Sequence, residues 1–248
     1  MILYPSEEIQ MDSEASGIEQ NEGSSHKLGL LFEIEHMAVD GRRIAYDVAK
    51  SMLADKEVKL TKPFFSRYCL HPSPEQYIPM VLESCGKKSV SGDKLAEEIR
   101  EGILVLLDDG RISIRPALSR ILAEWNGPNL FTGVLSALGE ASANRLAARL
   151  GIQGERVKML TPVVGDRAFP SADNWLRLSK MIGVPASSCT VLGTSATARR
   201  AALSAGMRCI AFPDEFTSFQ DFGGADYIVN EVNDRTMAEI LPVLKPTW

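Results

Sequence analysis

From Leu28 onward the chain alternates between short apolar runs and segments of helical spacing, and this rhythm restricts the fold more than any other feature. LGLLFEI, LFTGVL, RVKML, CTVLG and MRCIAF have the length and the apolar, partly β-branched character of buried parallel strands. Between them lie RPALSRILAEW, ASANRLAARLG, SADNWLRLSKMIG and SATARRAALSAG, which carry helical spacing and mostly end at Gly. A strand that is apolar along its whole length must be covered on both faces. The pattern therefore predicts an α/β fold, a doubly wound parallel sheet with helices on each side. Residues 44–108 break the rhythm, because IAYDVAKSMLADK, SPEQYIPMVLESCG and GDKLAEEIREGILVLLDDG read as successive helices without strands between them. The expected division is a tail over 1–26, an α/β core over 27–43 and 109–248, and an inserted helical domain over 44–108.

Composition closes several function classes. Of 248 residues 45% are hydrophobic and 24% charged, enough for a sizeable core, and the formal net charge is −5. Basic residues cluster no further than pairs such as Arg42-Arg43 and Arg199-Arg200, so no nucleic-acid footprint is expected. No apolar stretch approaches the roughly 20 residues of a membrane span, and no signal peptide is evident, so a cytoplasmic protein without membrane contact is expected. Residues 1–26 carry six acidic side chains and no Lys or Arg, the composition of a solvated tail, while MILYP at its start is apolar enough to dock as an arm. Cys69, Cys85, Cys189 and Cys209 are scattered, and zinc or disulfide readings have little support.

The candidate chemistry begins at LLFEIEHMAVDGR, residues 30–42. Alternation along a strand would put Glu33 and Glu35 on one face at its carboxyl end. Two readings stay open, a catalytic acidic pair and a pair of carboxylates facing solvent or a loop arginine. Buried together without a metal, the two would repel, and at least one carboxyl would titrate high. His36 reads either as a hydrogen-bonded histidine near the cleft or as a general base or metal ligand. Thr194, Ser195 and Thr197 precede a helix and suit its N-cap, and Arg199 and Arg200 suit its solvated face. That helix N-terminus would also suit an anion.

An acidic pair closing the first strand, a helical insert directly after it and then the rest of a doubly wound, Rossmann-like sheet resembles the haloacid dehalogenase-like superfamily. The resemblance is to the helical-cap group that contains β-phosphoglucomutase and phosphoglycolate phosphatase. GVPASSCTVLGTSATARRAALSAGMRCIAF, residues 183–212, is similar to the family's fourth motif region, and RPALSRILAEWNGPNLFTGVLSALGEASANRLAARLGI to the segment around its second.

The resemblance implies an Asp nucleophile and an Asp general acid and base two residues on, where this chain has Glu33 and Glu35. An extra methylene displaces each carboxylate, and in-line phosphoryl transfer tolerates little misplacement. Ser136 matches the second-motif hydroxyl that holds phosphoryl oxygens. Phe169 stands where the third-motif Lys is expected, with Arg167 two residues earlier as a conceivable substitute. Thr194 and Ser195 stand where an acid and a serine help to hold magnesium, and neutral hydroxyls are poor ligands for that ion.

The expected function is therefore that of a phosphatase-fold protein without the magnesium-dependent aspartyl-phosphate mechanism, serving as a binding or regulatory module. Ser136, Thr194 and Ser195 would form an anion site for a small anionic or phosphorylated ligand, with no resident metal or cofactor. One alternative is an atypical hydrolase of a small phosphorylated metabolite, with Glu33 as nucleophile, Glu35 as acid and base, and magnesium bound. Another is a structural subunit that engages a protein partner. Met37 and Phe169 are expected to project into the cleft between cap and core and to favour a docked cap.

Overall fold

A computed structural model describes residues 26–165 and 168–245. The acidic tail, the MILYP arm, Arg167 and Trp248 lie outside the described residues. Among those described, six parallel strands form one sheet in the order β3-β2-β1-β4-β5-β6. They are β1 (Leu28–Glu33), β2 (Leu130–Leu135), β3 (Val157–Leu160), β4 (Cys189–Gly193), β5 (Arg208–Ala211) and β6 (Tyr227–Ile228). Every residue of β1 is buried, as a central strand covered on both faces requires. The strand order reverses between β1 and β4, and in open parallel sheets the crevice at the carboxyl ends beside such a reversal is where ligands bind.

Helices α1 (Gly41–Ala54), α2 (Lys62–Tyr68), α3 (Ile78–Ser84) and α4 (Gly92–Leu107) follow β1 without an intervening strand. Helix α1 carries the chain unbroken across positions 43 and 44. The sheet is covered by α5 (Pro116–Glu124), α6 (Glu140–Arg149), α7 (Ala172–Ile182), α8 (Ala196–Ser204) and α9 (Asp234–Leu244). One apolar cluster joins Leu30, Phe32, Leu118, Ile121 and Ile240 on one side of the sheet, and another joins Leu31, Trp175, Leu178 and Val191 on the other. Helix α7 approaches β2 closely because position 133 has no side chain: a Cβ there would sit 2.4 Å from Leu31 Cδ2 and 2.7 Å from Leu178 Cγ.

The helical segment after β1 has its own apolar cluster, built on Tyr46, Leu53, Phe65, Ile78 and Ile99. One member comes from elsewhere. Phe216, in the loop after β5, is fully buried there, with its ring centroid 5.3 Å from that of Phe65 and 5.5 Å from that of Tyr46. Glu215 beside it pairs with Arg43 and Lys62. Among the described residues no helix is long and apolar enough to cross a membrane.

Candidate functional site

The two acids do not share a strand face. Strand β1 ends at Glu33, and Ile34–Ala38 form a single π-helical turn that places Glu35 outside the strand. Such wide turns are rare and concentrate at functional sites. This one is held from below by α1, whose first residue meets the turn with no room to spare: a Cβ on Gly41 would lie 2.2 Å from the Glu35 carbonyl oxygen. The turn also redirects Met37, which is buried in the cluster with Phe32 and Leu118 and does not line the cleft. The expectation that Met37 projects between cap and core is therefore corrected. An extra residue per turn changes the direction in which each side chain leaves the backbone, so strand alternation cannot be extended past Glu33.

Both carboxylates are buried, with different partners. Glu35 Oε1 accepts hydrogen bonds from Ser136 Oγ, from the Ala137 N–H at 2.8 Å and from the Leu138 N–H at 3.1 Å. Ser136 follows the last residue of β2, which pairs with Glu33 at the end of β1, so adjacent strand ends deliver the two halves of this contact. Burial raises the Glu35 carboxyl above its ordinary range, and these donors pull the other way. Burial pushes Glu33 up to about 7 against the pull of Arg42, with Glu35 and Asp214 adding to the rise. Among the described residues Glu33 Oε2 has no hydrogen-bond partner.

Thr194 follows β4 and does not cap α8. Its hydroxyl accepts from Arg42 Nη2 at 3.1 Å and its carbonyl from Arg42 Nη1 at 3.3 Å, and Nη1 also pairs with Asp214 Oδ2 at 2.6 Å. Asp214 is fixed in turn, since its Oδ1 accepts from the Phe216 N–H at 2.8 Å and from Thr217 Oγ1 at 3.1 Å. Ser195 is the N-cap of α8 and accepts from the Ala198 N–H at 3.1 Å. The Ala196 N–H donates to Gln220 Oε1 at 2.7 Å, so part of that helix terminus is already engaged. Arg199 is not on a solvated face; it donates to the carbonyls of Asp221 and Gly223.

Burial, Arg42 and Arg115 hold the His36 imidazole well below its ordinary range. Its carbonyl accepts from Arg115 Nη1 at 2.9 Å, and its Nδ1 has no partner among the described residues. Phe169 packs against the apolar cluster that contains Leu160 and Trp175 and reaches the site. It lines a cavity of about 40 Å³ together with Glu33, His36, Arg42 and Ser195. A larger cleft of about 370 Å³ opens between the strand ends and the helices that follow β1, lined by Arg42, Phe65, Leu70, Ile103, Leu138 and Val164 among others, with Glu35 and His36 at its floor.

The structure thus brings Glu33, Glu35, Ser136, Phe169, Thr194 and Ser195 to one end of the sheet, but splits them between two centres. Arg42 and Asp214 were not read from the sequence as site residues. Asp214 lies just past β5, and in a parallel sheet the residues that leave neighbouring strands gather at one edge, which is the signal that could have found it. Magnesium does not fit the residues present. Both oxygens of Thr194 and one of Asp214 already accept from a guanidinium, and among the described residues no group of three or more His, Cys, Asp or Glu could hold a metal ion.

No family model matches the chain. Protein CbbY of Cereibacter sphaeroides is 26% identical over 133 residues, covering 52% of this chain and 58% of that protein. The chain spans about half the length of the curated relatives it matches. Among solved structures, CbbY from Rhodobacter sphaeroides in complex with phosphate aligns with a TM-score of 0.67 at 18% identity, over 83% of this chain and 94% of that one. β-Phosphoglucomutase from Clostridium difficile aligns with a TM-score of 0.67 at 17% identity, over 86% and 96%.

Proposed function

This chain has the haloacid dehalogenase-like fold with a helical cap, and from that premise we propose that it binds a small anionic or phosphorylated ligand without running magnesium-dependent aspartyl-phosphate chemistry. One observation carries the reading. The hydroxyl and backbone donors at Ser136–Leu138, which the family resemblance assigns to phosphoryl oxygens, are filled by the chain's own Glu35 carboxylate. The mostly apolar cleft above it is the ligand site in this reading, and its volume falls within the range of small-molecule pockets. The neighbours support a phosphorylated ligand, since structures of the Rhodobacter CbbY hold phosphate or xylulose-(1,5)bisphosphate. In this reading residues 44–108 are the cap and 27–43 with 109–248 the core.

An internal ligand lowers the apparent affinity for any competitor by the fraction of molecules in which it is released. Glu35→Ala is therefore expected to bind sulfate at least about tenfold more tightly than the native chain, read by isothermal calorimetry or by the thermal shift. Adding Ser136→Ala should remove the gain. Equal sulfate affinity in Glu35→Ala and native protein would show that the carboxylate does not plug the cradle. Magnesium-dependent hydrolysis of an aryl phosphate by the native chain would overturn the reading itself.

A second reading rests on Glu33. A carboxyl that burial pushes up to about 7, with an oxygen that has no partner among the described residues, is what a general base working near neutrality requires. It predicts slow phosphate ester hydrolysis that is insensitive to chelators and abolished by Glu33→Gln.

A further inference from the structure

We propose that Arg42 is the fixed cation of this centre, a tethered guanidinium that completes its charge and excludes divalent metal. Three neighbouring strand ends deliver oxygens to one place: Glu33 closes β1, Thr194 follows β4 and Asp214 lies beyond β5. The side chain that meets them is 6% exposed and donates at 2.6, 3.1 and 3.3 Å to Asp214 and to the two oxygens of Thr194. Guanidinium keeps its charge at any working pH, and its planar fork reaches a carboxylate, a hydroxyl and a carbonyl together. Its placement is built into the backbone, because Gly41 immediately before it packs on the Glu35 carbonyl and fixes where α1 begins.

A second observation is independent of those bonds. Glu33 Oε2, His36 Nδ1 and Arg42 Nε are all buried without a partner among the described residues, and all three residues line the cavity of about 40 Å³. Such a space admits about one to three waters. A magnesium ion that keeps several of its own waters would not fit in it. Removing Arg42 would leave Asp214 and Glu33 close together without a counter-charge, the condition in which a cation from solution is drawn in.

The inference goes beyond the proposed function. A chain that hydrolysed esters without metal would keep it, and the sulfate result with Glu35→Ala can fall either way without touching it. The test is titration with magnesium chloride, against sodium chloride of equal ionic strength, read by melting temperature and calorimetry. The native protein should show no saturable magnesium-selective shift. Thr194→Asp should show none either, because the new carboxylate pairs with Arg42. Arg42→Ala with Thr194→Asp should bind magnesium saturably in the millimolar range, at least about tenfold more tightly than Thr194→Asp alone. A magnesium-selective shift in the native chain, or one in Thr194→Asp as strong as in the double variant, overturns the proposal. Should the double variant fail to fold, Arg42→Gln with Thr194→Asp, which keeps most of the side chain's bulk without its charge, takes its place in the same comparison.

Discussion

Glu33→Gln is expected to make the protein more stable than the native chain by about 3 kcal/mol at pH 8 and by almost nothing at pH 4. The cause is the rise of the Glu33 carboxyl from 4.5 to about 7, which comes first from burial. A group whose folded value is raised holds its proton more tightly in the native state. Its stabilising contribution is complete below 4.5 and is lost as pH climbs through about 7. Gln is the permanent mimic of the protonated form, so the variant should keep that contribution at alkaline pH, where native Glu33 must ionise in a buried site. Arg42 retains Asp214 as its partner in the variant, which limits the loss from removing one of its neighbours. Urea denaturation at both pH values measures the effect. A variant no more stable than native at pH 8 would mean that folding does not raise the Glu33 carboxyl above its ordinary value.

Gly41→Ala should destabilise by about 3 kcal/mol, although alanine in place of glycine normally favours a helix by about 1 kcal/mol. The opposite sign follows from what the methyl group would strike. The atom 2.2 Å away is a backbone oxygen in the π turn, which cannot rotate aside. The turn would have to open, moving Glu35 off Ser136 and Arg42 off Thr194. Gly102→Ala in α4 is the matching control, since its added methyl would meet only the side-chain ends of Val48 and Met52. Equal denaturation midpoints for the two variants would remove the argument that Gly41 sets the geometry of the site.

The sheet was legible because a strand buried on both faces writes itself as an apolar run, as β1, β2, β4 and β5 do, while the edge strand β3, with Lys158 exposed, shows only a broken one. Strand β6 is two residues long, half-buried Tyr227 and exposed Ile228, and leaves no such run. Helix α2 is only seven residues long and too short to show helical spacing, though Thr61 as N-cap with a proline in the first turn is a readable start. At the site, Glu33, Ser136 and Thr194 could be found because each ends or follows a strand. Arg42 could not, because a basic pair at the start of a helix looks like a solvated pair, and only the fold reveals that one member is buried. The direction of Met37 and the separate partners of Glu35 were hidden for a related reason: the π turn has no signature in the residue pattern, and it resets the side-chain directions on which the strand reading relied.

Phe216 ties two motions together. Its ring is seated among the helices that follow β1, while two residues earlier Asp214 holds Arg42 at the sheet edge. Swinging those helices outward would have to unseat the ring from Tyr46 and Phe65 and break the pairs of Glu215 with Arg43 and Lys62. The same short loop would then tug on Asp214. Widening the doorway would thus also slacken the grip on the guanidinium, and a guest large enough to prop the helices apart would act on Arg42 twice, by contact along the cleft wall and through the loop that carries Asp214.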